Sequence, residues 1–193
     1  MKRIILLLVL GATMIFSGCQ KDNPEELCQG EQTTPLLKAT QVLFEGVCQN
    51  PTIIYCGDIQ ELPNGMVKVM NFESEWEDYT NDPLTTGRSH WIENFLISKD
   101  QKSAKIWGKA TLTVEDGEWA YSMQGYMNAK GDAIVIPPCA GPPAPCEIYA
   151  RVHAVGKSGA VKGMVGEWIY VMDFDGFPDA FEYEITGWYQ YSP

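Results

Sequence analysis

The feature that most restricts this chain is a hydrophobic period of two that recurs from about Ala39 to the end. Ile106–Val114 puts Ile106, Gly108, Ala110, Leu112 and Val114 on one face and Trp107, Lys109, Thr111 and Thr113 on the other. Such alternation belongs to an extended strand, where successive Cβ atoms point to opposite sides. Similar runs cover Met66–Phe72, Arg88–Ile97, Glu118–Met127, Glu147–Val155, Ala160–Met172 and Ala180–Tyr191. Turn formers separate them: Pro63-Asn64-Gly65, Glu115-Asp116-Gly117 and Gly156-Lys157-Ser158-Gly159. Asp-Gly suits the positive φ of a tight hairpin, so the runs on either side of it are expected to pair.

No long segment carries the 3.6-residue period of an amphipathic helix. "GEWAY" at Gly117–Tyr121 recurs as "GEWIY" at Gly166–Tyr170, without the fixed period of a solenoid. Many strands at short spacing predict an all-β antiparallel barrel or sandwich. Glycines within strands, at Gly108, Gly125, Gly163 and Gly166, permit the bulges and coiling that closure requires. They favour a closed or nearly closed antiparallel β-barrel of about eight strands, with a β-sandwich as the alternative. The 193 residues, 45% of them apolar, suffice for one core. A net charge of −11 lacks the basic footprint of a nucleic-acid binder. Orderly aromatic alternation argues against disorder.

Ahead of the strands, Lys2 and Arg3 precede a short apolar run, Ile4–Phe16. It is shorter than the roughly 20 residues of a comfortable membrane span and reads as a signal peptide over residues 1–18. The stretch Phe16-Ser17-Gly18-Cys19 resembles the lipobox of bacterial lipoproteins, with Phe16 where the pattern more often has Leu. The resemblance implies diacylglycerol on Cys19, cleavage before it and acylation of the new amino terminus. Two or three acyl chains would then hold the protein on a bilayer durably. Gln20–Glu26 is polar and acidic, so residues 19–38 are expected to be a lipidated, solvated tether to a barrel domain over 39–193. The tether also resembles the charged export signal of some surface lipoproteins. This implies the outer membrane, with the inner leaflet and the outer surface both open.

Export implies an oxidising compartment. With Cys19 lipidated, five cysteines remain, so at least one, such as Cys28, has no partner within the chain. Cys139 and Cys146 bracket "AGPPAP", and Cys48 and Cys56 bracket "QNPTIIY"; both pairs are expected to be disulfide staples. Absent CxxC pairs, and with His90 and His153 the only histidines, no metal-thiolate site is expected, and no cofactor motif appears.

Three constellations are candidate sites. Asp173, Asp175 and Asp179 in "DFDGFPD" resemble part of a calcium loop but lack its distal glutamate; an acidic hairpin tip accounts for them. Glu73, Glu75, Glu77, Asp78 and Asp82, with Trp76 and Tyr79 interleaved, read as a solvated strand edge. Carboxylates beside aromatic faces also admit a sugar-binding reading. The third set is polar residues on apolar faces: Glu167 in step with Val161, Gly163, Val165, Ile169 and Val171; Asn94 with Ile92 and Leu96; Arg151 and His153 with Tyr149. Glu167, Asn94, Arg151 and Tyr149 are therefore the candidate ligand-binding residues. An inward Glu167 would have its pKa raised by desolvation; the alternative is that it pairs with Arg151 or faces solvent. No residue is assigned a catalytic role, since no nucleophile elbow, P-loop or zinc-helix motif occurs.

The order "NDPLTTG", "IWGKATL", "GEWAYSMQG", "ARVHAVGKSGAVKG" and "ITGWY", over Gln60–Tyr189, resembles secreted bacterial barrels related to the allene-oxide-cyclase-like and dirigent proteins. The resemblance implies a calycin-type barrel of eight antiparallel strands with a central apolar cavity. Allene-oxide cyclases hold a glutamate and an asparagine inside the barrel, but no motif here equates these with Glu167 and Asn94. The expected role is an envelope lipoprotein displaying a small barrel that binds an apolar or amphipathic small molecule. The alternatives are an adhesion or complex-forming module without a ligand, and an isomerase or cyclase.

Overall fold

The structure, a computed structural model, describes residues 40–131, 133–134, 144–176 and 182–192. Cys19, Cys28, the signal peptide, the tether, Cys139 and Asp179 lie outside the described residues. Alternating residues lock into eight strands: β1 (Val42–Glu61), β2 (Val67–Thr80), β3 (Gly87–Ile97), β4 (Ser103–Val114), β5 (Gly117–Ala129), β6 (Cys146–Gly159), β7 (Met164–Phe174) and β8 (Tyr183–Tyr191). Each pairs antiparallel with the next, and β8 returns to β1, so the hydrogen-bonded ring closes. The barrel expectation holds, and closure removes the sandwich alternative. No helix occurs among the described residues. The Asp-Gly hairpin forms as its sequence requires, with Val114 opposite Gly117.

The longest strand, β1, is the one that the period did not announce. Asn50 (φ 56°) and Gly57 (φ 78°) take left-handed conformations, and the β1–β2 register shifts at Gln49/Thr52 and Ile53/Tyr55. Each bulge resets the alternation, so the strand has no single period. The segment between Cys48 and Cys56 is therefore strand, not a stapled loop. Eight residues of extended chain span roughly 26 Å, against the roughly 6 Å between disulfide-linked Cα atoms. Cys48 is a free, buried thiol, so it is not the partner of Cys56, which is disulfide-bonded. Cys146 is also free and buried, where β6 begins opposite Phe174, so the Cys139–Cys146 staple is corrected as well. Burial pushes the Cys146 thiol up to about 11 and the Cys48 thiol well above its ordinary value. Alkylation followed by peptide mapping is expected to label Cys48 and Cys146 after unfolding and neither in the native protein. Rapid native labelling of either would contradict their burial.

On β7 the structure reverses the expected faces. Met164, Gly166, Trp168, Tyr170, Met172 and Phe174 point inward and are buried, whereas Glu167, Ile169 and Val171 stand on the outer wall. Gly163 (φ 82°) and the buried Val161 belong to the preceding turn. Both faces of this strand are apolar, so alternation cannot choose between them. Burying the aromatic set removes more surface from water, and turning Glu167 outward spares the desolvation of a charge.

Inside, rings fill the lumen. Trp119 and Trp168 are 0% and 1% exposed. Trp168 meets Phe44, Trp119 and Tyr121 at centroid distances of 5.4, 5.3 and 4.4 Å, all nearly edge-on. The loop between β2 and β3 seals one end of the barrel. Trp119 Nε1 donates to the Leu84 carbonyl (2.7 Å), Tyr189 Oη donates to Asp82 (2.8 Å), and Thr85 is buried.

Candidate functional site

The outer wall brings together three of the four candidate residues. On β6, Tyr149 and Arg151 project outward beside Glu167 of β7. Arg151 Nη2 donates to Glu167 Oε2 at 2.5 Å, and His153 Nδ1 lies 3.3 Å from Glu167 Oε1. The Arg151 hydrogen bond is the main reason that the Glu167 carboxyl sits below its ordinary range. The pair forms the floor of a groove of about 410 Å³, lined also by Tyr149, Ile169, Thr186, Gly187 and Trp188. Beside it Tyr126 stacks on Tyr149, with centroids 5.4 Å apart and planes 18° apart. Glu167 thus faces the outside and pairs with Arg151, as the alternative stated for it has it, and the inward placement is not realised.

Asn94 lies apart from this group, on β3. Its Oδ1 accepts from the Asn71 N–H (3.0 Å) and its Nδ2 donates to the Trp107 carbonyl (3.2 Å). It therefore braces the β2 bulge at Asn71 (φ 58°). Asp173 and Asp175 both pair with Lys130 Nζ, the latter at 2.6 Å, so a lysine takes up the carboxylates that resembled a calcium loop. Among the described residues no group of three or more His, Cys, Asp or Glu could hold a metal ion. Glu73, Glu75 and Glu77 line the outer wall, partnered by His90 (2.7 Å), Arg88 (3.7 Å) and Asn50 (2.7 Å).

The lumen holds two acids that the sequence reading did not place there. Asp78 shares the inward side of β2 with Ser74 and Trp76 and is buried. It accepts from Ser89 Oγ (3.2 Å), Tyr170 Oη (3.1 Å) and the Cys48 thiol. Burial outweighs these bonds and pushes Asp78 up to about 6. Glu93 stands between Trp91 and Phe95 on the inward side of β3, opposite Gly108. No hydrogen bond or ion pair joins it to another described residue, and burial pushes it up to about 7. It borders a cavity of about 20 Å³ with Cys48, Trp91, Tyr170 and Tyr183, room for about one water. The step Trp91–Glu93–Phe95–Ile97 was a signal that could have found Glu93.

Comparison with family models, with curated proteins and with solved structures finds no match to this chain.

Proposed function

We propose that this protein is a non-catalytic, lipid-anchored module of the cell envelope that engages its ligand or partner on the outer wall of β5–β8. One contrast carries the reading. The groove over Arg151 and Glu167 measures about 410 Å³, while the lumen, the expected seat of an apolar molecule, offers about 20 Å³. Small-molecule pockets span roughly 300–1,000 Å³. The anchor rests on the lipobox resemblance at Cys19.

Native mass spectrometry of protein extracted from its membrane tests both parts. The expected species carries the acyl increment on the Cys19 peptide and no equivalent of a co-purified apolar metabolite. Such a metabolite at one equivalent would return the function to the lumen. Replacing Cys19 by Ser should release the protein from the membrane fraction, and unchanged partition would sink the anchor.

Glu93 supports a second reading. A carboxyl near pKa 7 at a cavity, with no hydrogen bond or ion pair to another described residue, suits acid–base work. An isomerase or cyclase built on this barrel would use Glu93, with the lumen opening to admit its substrate.

A further inference from the structure

Inside the barrel, the border of the cavity at Glu93 is chemically unbalanced. Trp91, Tyr170, Tyr183 and Trp76 run along it edge to face, with successive centroids 5.3, 6.1 and 5.1 Å apart. The cavity lies toward the end of the barrel away from the β2–β3 loop, where Tyr183 starts β8. Four neighbouring donors are committed elsewhere. Trp76 Nε1 donates to Ser74 Oγ (3.0 Å) and Trp91 Nε1 to Ser89 Oγ (2.9 Å). Tyr170 Oη (3.1 Å) and the Cys48 thiol both donate to Asp78. No Lys, Arg or His among the described residues borders the cavity. Glu93 and Tyr183 lie deep in the barrel, yet both keep accessible surface and both border that space. Burial, and then the charge of Glu93, push the Tyr183 phenol well above its ordinary value, so the two groups are near one another.

Such a border offers acceptors and π-systems and lacks a cation. An ionised carboxylate placed there has lost its water without gaining a donor. A guest that brings positive charge and N–H groups compensates it. Trp and Tyr rings add cation–π attraction, which is larger for a desolvated cation. A hard divalent metal ion takes about six or more oxygen ligands, whereas Glu93 and Tyr183 are the oxygen-bearing side chains left over on this border. The space of about 20 Å³ holds one water-sized group, so it admits a primary ammonium and is too small for a trimethylated nitrogen. We propose that the lumen binds a small primary ammonium cation, paired with Glu93 and packed against the rings of Trp76, Trp91, Tyr170 and Tyr183. The site is independent of the outer-wall reading, and it uses Glu93 to hold a charge, not to move a proton.

The test is calorimetric titration of the full chain with methylammonium chloride, in an amine-free sodium buffer at pH 8 and constant ionic strength. One equivalent is expected to bind. Glu93→Gln keeps the side-chain shape and should weaken that binding by at least about tenfold, with a urea midpoint to verify that the variant folds. Glu147→Gln, at an exposed carboxylate on β6, should leave the affinity unaltered. On the unmodified chain, tetramethylammonium and potassium should each bind at least about tenfold more weakly than methylammonium, a comparison that stands whether or not the variant folds. No methylammonium binding means that the cavity takes water only and overturns the proposal. Binding that Glu93→Gln leaves intact overturns it as well, as does tetramethylammonium or potassium bound as tightly as methylammonium.

Discussion

Replacing Trp168 by alanine is expected to destabilise the barrel by about 3–5 kcal/mol, the usual range for removing a large buried aromatic. Trp168 is the hub of the lumen, edge-on to Phe44, Trp119 and Tyr121, and the barrel wall cannot collapse into the space without breaking its own ladder. For a domain of this size the loss amounts to a fall in Tm of roughly 10 °C. Phenylalanine should cost distinctly less, for two reasons. It keeps most of the ring contacts, and it removes an indole N–H that is buried with no hydrogen-bond partner among the described residues. Gly187→Ala probes the same contact from the wall. A methyl there would overlap Trp168 Cδ1 and lie 2.8 Å from Phe44 Cζ, so overpacking should cost about 1–3 kcal/mol. Urea unfolding of the three variants measures all of this. If Trp168→Ala cost under about 1 kcal/mol, the lumen could not be packed as described, and a ligand cavity would return as the better account.

How legible the fold was depended on whether one face of a strand was polar. On β4 the outward set Trp107, Lys109, Thr111 and Thr113 contrasts with the apolar inward set, and the Asp116-Gly117 turn fixes where β5 begins, so the pair could be read directly. On β7 both faces are apolar, and the single carboxylate was given the wrong parity. Which face wins there is decided by the rings of Phe44, Trp91, Trp119, Tyr121 and Tyr183, which meet Trp168 and Tyr170 from other strands, and that information lies far away in the chain. On β1 the register shifts at Gln49/Thr52 and Ile53/Tyr55 erase the period, and two cysteines eight residues apart then look like the ends of a loop. Three members of the outer site, Tyr149, Arg151 and Glu167, were nonetheless singled out together, because a polar residue on an apolar face is conspicuous whichever way it points. Asp78 was hidden for the reverse reason. Among Glu73, Glu75 and Glu77 it looks like one more solvated acid, but beyond the Asn71 bulge the even-numbered positions of this strand face the lumen, and only strand pairing reveals that.

Glu93 is expected to make the protein less stable as pH rises. In the unfolded chain its pKa is ordinary, 4.5, whereas in the barrel burial raises it to about 7. Between these values the folded state holds a proton that the unfolded state has released. Stability from this group is therefore greatest below about pH 4.5, declines as pH climbs, and levels off above about pH 7. At 1.36 kcal/mol per unit, the two pKa values set an upper bound of about 3 kcal/mol; a carboxyl bordering a cavity with room for water should realise less, about 2 kcal/mol. Asp78 acts in the same direction over a lower window, from its ordinary 3.8 to about 6. Glu93→Gln keeps the shape and cannot ionise, so it should flatten the upper part of the profile and stabilise the barrel at pH 8 by about that amount. Asp78→Asn should flatten the lower part and gain less, because Ser89, Tyr170 and Cys48 favour the ionised carboxylate that the substitution removes. Urea midpoints at pH 4.5, 6 and 8 separate the two. Were Glu93→Gln to leave the upper profile unchanged, Glu93 would be ionised in water at neutral pH, the lumen would be wetter than its packing implies, and the acid–base reading of Glu93 would lose its only support.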